Sequence, residues 1–413
     1  MPVIRERGLA LVLVACALSL LAAYALKSQC TRLSWDGSQY GRLCYSDIQA
    51  LYEARELSGD TFVYIHGDLT EQGLVGGAIE YPVVTGVFMW LTSRLVSDFD
   101  AFLTISAVAL APFALLTAGL LHDLAGRRAL LWALAPALVL YSFHNWDLLA
   151  AAALCGGVWL WSRDRPLGAA AALGLGAAAK LFPALLLAPL ALERWARGDR
   201  RTAGLVVVVG AATFGALNLP FIVANFDGWW ATYAFHSRRT ADFNAFYTWG
   251  FPSLAGDAEA LNLVSLGLSV ISWGTALALG WRRRSSEAAA PYPFLQVSAA
   301  MVVAFLLWSK VHSPQFALWI LPFFVLLRVN LGWWLAYALA DLAVYVGIFR
   351  WFYDFSLTGD QLTWTAAKTL LVAGVWGRTA LLACLFVVFL RSSGAPRTPP
   401  AHALATGRER LGE

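Results

Sequence analysis

Thirteen apolar stretches, parted by short gaps that gather the arginines, constrain this 413-residue chain more than any other feature. The first runs from Leu9 to Leu26, after Arg5, Glu6 and Arg7. The rest lie near 81–97, 101–121, 129–144, 146–161, 166–180, 183–192, 203–224, 260–281, 292–308, 314–328, 331–349 and 366–390. A helix crosses the bilayer core in about 20 residues, with roughly 17 as a lower bound. Hydrophobic residues make up 59% of the chain and charged ones 14%. A soluble domain has about 45–50% and about 25%. Water is therefore not the solvent for most of the surface. The pattern predicts an all-α polytopic membrane protein over residues 1–390, with eleven to thirteen spans and twelve preferred. The Pro, Arg, Ala and Gly content of 391–413 predicts a flexible cytoplasmic tail.

Leu9 to Leu26 follows a basic start and precedes no clear small-residue cleavage site, so it reads as a retained first helix. Lys180 and Pro183 split 166–192 into a helical hairpin or one broken helix, whose freed backbone groups the bundle must satisfy. The positive-inside rule sends Arg163 to Arg165, Arg194 to Arg201 and Arg282 to Arg284 to the cytoplasm. The same sorting accounts for the net charge of +4 without nucleic acid. Segments 28–80, 225–258 and 350–365 then face outside. Arg127 and Arg128 also belong inside, so only one of 81–97 and 101–121 crosses fully. The weaker is 81–97, which opens on Glu80, Tyr81 and Pro82.

Five cysteines are too few for a disulfide scaffold and lack zinc spacing. Cys16, Cys155 and Cys384 sit in apolar runs. Cys30 and Cys44 share one polar segment and are expected to form a disulfide if it faces an oxidising compartment. That segment, 28–80, is long and acidic. Within it, Ser46-Asp47 precedes Ile48, Leu51, Tyr52 and Leu57, which fit one helical stripe. Two readings of Asp47 stand side by side. It caps that short helix, or it is an acid at the top of the bundle that takes a proton from a sugar hydroxyl.

Several blocks resemble glycosyltransferase family 87. They are Cys44-Tyr45-Ser46-Asp47-Ile48, Glu80-Tyr81-Pro82-Val83-Val84-Thr85-Gly86, Asn145-Trp146-Asp147-Leu148-Leu149, Gly174 to Pro183, and Lys310-Val311-His312-Ser313-Pro314-Gln315-Phe316. The family includes actinobacterial polyprenol-phosphate-mannose-dependent α-1,2-mannosyltransferases acting on phosphatidylinositol mannosides. The resemblance implies the multi-span C-type glycosyltransferase fold, a lipid-phosphate sugar donor and an outward-facing site. It also implies that the family's first-loop acidic base falls on Asp47. With 26 arginines to four lysines among 30 basic residues, a GC-rich bacterial genome and a bacterial plasma membrane fit the resemblance.

Polar residues in apolar surroundings supply the other candidates. Asp147 caps the next helix or orients a base or hydroxyl. Lys180 snorkels to the interface or binds the donor phosphate, and Lys310 invites the same argument. His312 donates to a phosphate, orients an acid or is structural. Glu80 holds a loop arginine or touches sugar. His236, Arg238 and Arg239 are candidates for an anionic acceptor headgroup. The 19 tryptophans read first as interfacial belting.

A sugar phosphate already carries a good leaving group, so one base is enough, without the paired acid of ordinary glycoside hydrolysis. Direct displacement would invert the anomeric centre, and cations would meet the phosphate charge. No nucleotide-binding glycine loop and no tight metal cage are apparent. No cofactor is required by this chemistry, and a loosely bound divalent ion stays open. The expected partners are a polyprenyl-phosphate sugar, a glycolipid acceptor and the bilayer. A polyprenyl-phosphate arabinose donor needs many of the same features. A transporter or lipid flippase accounts for the spans but less well for the acidic first loop. A non-catalytic envelope scaffold ranks third.

Overall fold

Helices account for nearly all of the regular structure in the computed structural model, which describes residues 2–284 and 292–394. Six of them are long and apolar enough to cross a bilayer. They are Glu6–Cys30, Phe99–Ala133, Arg200–Ala224, Ala258–Arg282, Leu331–Thr358 and Ala366–Arg391. Five shorter apolar helices stand among them: Val83–Ser93, Asp147–Ser162, Pro166–Ala179, Phe294–Trp308 and Pro314–Leu326. The chain is a helical, multi-pass membrane protein. Strand pairing is confined to two small antiparallel ladders among the described residues, Asp68–Thr70 with Gly73–Val75 and Leu327–Arg328 with Ser393–Gly394.

Charged residues gather on two rims, as expected of a chain whose middle is apolar. On one rim Arg163 pairs with Asp123, and Arg194 with Asp164 at 2.8 Å. There too the Arg128 guanidinium donates to the carbonyls of Phe324, Val325 and Leu327, at 2.7–3.0 Å, satisfying the open C-terminal end of Ala317–Leu326. The opposite rim carries residues 28–80. Asp100 anchors it by accepting from Gln49 and from the Arg32 amide. Asn225 donates to the carbonyls of Ile65 and Gly67.

The segment expected at 81–97 forms only an 11-residue helix, Val83–Ser93. At 1.5 Å per residue it reaches about 16 Å, half the ~30 Å hydrocarbon core. Both ends are tied to the 28–80 segment, through Arg55–Glu80 before it and Arg94–Asp60 after it. It therefore returns to its starting rim, and Phe99–Ala125 makes the crossing that ends at Arg127 and Arg128. The split near Lys180 is a hairpin. Pro166–Ala179 climbs, a 3-10 turn at Phe182–Leu186 follows, and Leu187–Ala196 descends until Arg194 meets Asp164. Two boundaries move. The helix Leu331–Thr358 runs well into the expected loop 350–365. Of the residues expected in the tail, Arg391 instead closes the last helix and Ser393–Gly394 pair with Leu327–Arg328. Residues 395–413 lie outside the described residues.

Close helix contacts rest on glycine. Gly347 stands where a Cβ would come within 2.4 Å of the Leu371 backbone nitrogen, which lets Leu331–Thr358 and Ala366–Arg391 meet backbone to backbone. Gly347→Ala is expected to destabilise the protein by about 1–3 kcal/mol through overpacking. Thermal unfolding of the detergent-purified variant checks this, and an unchanged melting temperature would contradict it.

Candidate active site

Asp47 opens the short helix Asp47–Ala54, but Ser46 is its cap. The Ser46 hydroxyl accepts from the Ile48 amide at 3.2 Å and donates to the Phe143 carbonyl at 2.7 Å. The Asp47 carboxylate is thereby spared a capping role. The Asp47 amide donates to the His144 carbonyl at 2.9 Å, fixing the helix start against the turn before Asp147–Ser162. Its Oδ2 accepts from Asn145 Nδ2 at 2.9 Å and stands 3.8 Å from His144 Nε2. The orientation of Asn145 follows from its other contacts. Its Oδ1 accepts from the Trp146 amide, so its NH2 group faces Asp47 and the Tyr81 hydroxyl. Enclosure raises the Asp47 pKa above the usual carboxylate value, opposed by hydrogen bonds from Asn145 and Tyr45 and by the charges of Lys180 and Lys27.

The Asp47 side chain retains 22% exposure, and it opens onto a cavity of about 710 Å³. Glu80, His144, Lys180, His236, Arg239, Asp242 and Lys310 share its wall. Apolar lining comes from Leu181, Phe182, Phe305, Phe316, Trp319 and Phe352, among others.

Lys180 and Asp147 form a bidentate pair, both contacts at 2.8 Å, with Asp147 fully buried. Trp319 Nε1 donates to the same carboxylate at 2.5 Å. Asp147 is thus the counter-ion of Lys180 and not a helix cap. The ammonium lies 5.1–5.5 Å from the ring centres of Tyr81, Phe316 and Trp319, which shield it without competing for its protons. Two of its three N–H groups serve Asp147. Glu80 is occupied by Arg55, at 2.6 and 3.0 Å. His236 Nε2 donates to the Glu80 carbonyl at 2.8 Å.

Lys310 donates to the carbonyls of Arg239 at 2.6 Å and Ser237 at 3.3 Å. Burial and the neighbouring Arg239 guanidinium push its pKa down to about 8. The segment around it is pinned by a buried ion pair. Arg378 meets Asp341 at 3.3 Å and donates to the carbonyls of Asn244 and His312. His312 itself does not line the cavity. It is 5% exposed, stacked on Phe316, and its carbonyl faces Arg378. Arg238 is exposed and also stands off the cavity, because the helix ending there turns Arg239 inward instead. A disulfide joins Cys30 and Cys44, whose Cα atoms lie 5.5 Å apart. Among the cavity residues that escaped the sequence reading are His144, Asp242 and Trp319. Asp242 had a usable signal as an acid beside Arg238 and Arg239.

The model of glycosyltransferase family 87 matches residues 79–309, more than half of the chain. The chain belongs to glycosyltransferase family 87. The matched region carries Glu80, Asn145, Asp147, Lys180 and Arg239, whereas Lys310 follows it directly and Asp47 lies well before its start. No curated protein and no solved structure matches the chain.

Removing one member of a buried ion pair strands the other, at a cost of about 3–5 kcal/mol. Lys180→Met is expected to lose stability on that scale, because Asp147 has no exposure with which to recover water. The double variant Lys180→Met with Asp147→Asn is expected to recover most of the loss. Melting temperatures of both variants check the coupling, and an equally unstable double variant would contradict it.

Proposed function

We propose that this glycosyltransferase moves a sugar, mannose first among candidates, from a polyprenyl phosphate to a hydroxyl of a lipid-linked glycan. A phosphatidylinositol mannoside is the acceptor to test first. One observation carries the reading: a desolvated carboxylate, Asp47, shares a cavity with Lys180, Lys310 and Arg239. A base and cations facing one space suit displacement of a phosphate by a hydroxyl. Asp47 takes the acceptor proton as the oxygen attacks the anomeric carbon. The bond from that carbon to the phosphate oxygen breaks, and its electron pair leaves with the phosphate. The remaining N–H of Lys180, together with Lys310 and Arg239, meets the growing charge. Attack opposite the leaving group inverts the centre, so a β-linked donor gives an α-linked product. The apolar walls suit the first units of a polyprenyl chain. In the same reading the protein has twelve spans, a single domain and a cavity facing out of a bacterial plasma membrane, supported by the arginine clusters on the opposite rim.

The decisive experiment supplies radiolabelled polyprenyl-phosphate mannose and, separately, polyprenyl-phosphate arabinose to membranes with a panel of acceptor lipids. Transfer from a nucleotide sugar, with none from either lipid donor, would overturn the reading. Asp47→Asn is expected to bind donor and lose on the order of 10²–10⁴ in turnover. If Asp47→Asn keeps turnover and Asp242→Asn loses it, the base is Asp242. Asp47→Asn is also expected to be at least as stable as the parent at neutral pH. Burial raises the Asp47 pKa, so stability falls as the pH rises from the free carboxylate value to the folded one and stays lower above it. The neutral amide removes that cost.

The pH profile has two limbs of known sign. Turnover falls as Asp47 is protonated, at a pH above the usual carboxylate value because its pKa is raised. Donor binding weakens as the pH rises through about 8, where Lys310 loses its proton. Lys310→Arg is expected to move that basic limb upward. A donor KM flat from pH 6 to pH 10, on the order of four pH units, would contradict the phosphate role of Lys310.

A further inference from the structure

Behind Asp47, away from the cavity, lies a lysine that the transfer reaction described above does not use. Lys27 ends the first helix with no exposed surface. Its ammonium has three N–H groups and three polar contacts. These are the Tyr45 carbonyl at 2.7 Å, the Tyr345 hydroxyl at 3.1 Å and His144 Nδ1 at 3.3 Å. None of the three is a carboxylate. Tyr345 passes its own proton to the Leu43 carbonyl at 2.5 Å, so its oxygen is free to accept from Lys27.

Counting the ammonium protons favours one tautomer of His144. The Tyr45 carbonyl and Tyr345 hydroxyl take two of the three ammonium protons, and the third points at Nδ1. A proton on Nδ1, donated to the Tyr45 carbonyl 3.1 Å away, would set two N–H groups against each other. It would also turn the Nε2 lone pair toward the Asp47 carboxylate, 3.8 Å off. With Nδ1 accepting from Lys27, the ring proton sits on Nε2 and faces Asp47.

We propose that Lys27 and His144 are positioning residues for Asp47, the buried ammonium fixing the imidazole with its proton on Nε2 so that this N–H is aimed at the carboxylate. The inference rests on Asp47 being the base. Its effect is to favour the ionised carboxylate in a site whose enclosure disfavours it. Other charged or titratable groups also surround Asp47. Tyr40 and Tyr45 precede it, Glu80 and Tyr81 stand before the helix Val83–Ser93, and Lys180 and Asp147 face it from the adjoining helices. From the helix Phe99–Ala125, Asp100 is held by Gln49. Only Lys27 acts through the imidazole.

The test reads the carboxyl of Asp47 directly by infrared titration of the purified full chain, using the band that Asp47→Asn abolishes. Lys27→Met is expected to raise its titration midpoint by about one pH unit, equal to a tenfold loss of ionised Asp47 on the acid side. His144→Phe is expected to do the same. His144→Gln, whose amide nitrogen stands in for Nε2–H, is expected to restore a midpoint near the parent's. A midpoint unmoved in Lys27→Met, or equal midpoints in His144→Phe and His144→Gln, would overturn the inference. If Lys27→Met does not fold, the two His144 variants decide. Transfer by Asp47→Asn, measured separately, tells failure of the base reading from failure of this one. With turnover lost in Asp47→Asn but no midpoint moved, only the positioning role falls.

Discussion

An apolar bundle can hold a buried charge only where counter-charge or acceptors meet it completely, and that constraint shapes the whole site. Lys180 stands at the break of a hairpin, where Pro166–Ala179 stops and the 3-10 turn begins. Its partner Asp147 starts a different helix. The bidentate contact locks the hairpin tip to that helix and sets one wall of the cavity. Asp341 and Arg378 do the same for the opposite wall, where the guanidinium also holds the carbonyls that carry Lys310's segment. Each buried pair thus secures a backbone break that the membrane alone would not tolerate.

Asp47 and Asp147 illustrate two uses of one side chain. Asp147 has full compensation: two contacts from an ammonium, one from an indole and no exposure. It is a fixed structural anion. Asp47 has hydrogen bonds from the Asn145 amide and from Tyr45, a histidine at 3.8 Å and an open edge on the cavity, with no cation in direct contact among the described residues. Incomplete compensation leaves it able to accept a proton. The difference arises from neighbours 33 and 98 residues distant in sequence, although both acids stand at the first position of their helices.

That distance explains what could be read from the chain. Lys180 was legible because a lone lysine among alanines and glycines demands a partner. Asp147 was legible because an acid at a span end is rare. Their pairing was not, since no periodicity connects positions in separate helices. The stripe after Ser46 located the helix of Asp47, while the identity of its cap needed the Phe143 carbonyl. His312 packs off the cavity wall. Spacing of two from Lys310 suggested a shared site, but in an irregular segment such spacing carries no common face, and the ring packs on Phe316 instead. Lys27 gave no warning at all, because a basic residue closing an apolar run looks like an interfacial anchor. The half-length of 81–97 was foreshadowed by Pro82, and its return to one rim by the arginine parity.

The disulfide has a consequence for how such a site can change over time. It closes residues 30–44 into a ring whose two ends sit three residues from Lys27 and three residues from Asp47. Whatever happens inside the ring, the covalent link keeps those ends together. Gly37 limits the freedom, since a Cβ there would meet the Ser356 hydroxyl at 2.1 Å. Gln39 and the Leu43 carbonyl are committed as well, to the Gly37 amide and to Tyr345, so within the ring the exposed Ser34 is a position where exchange would leave the lysine and the acid in register. Evolvability here is a property of one covalent bond.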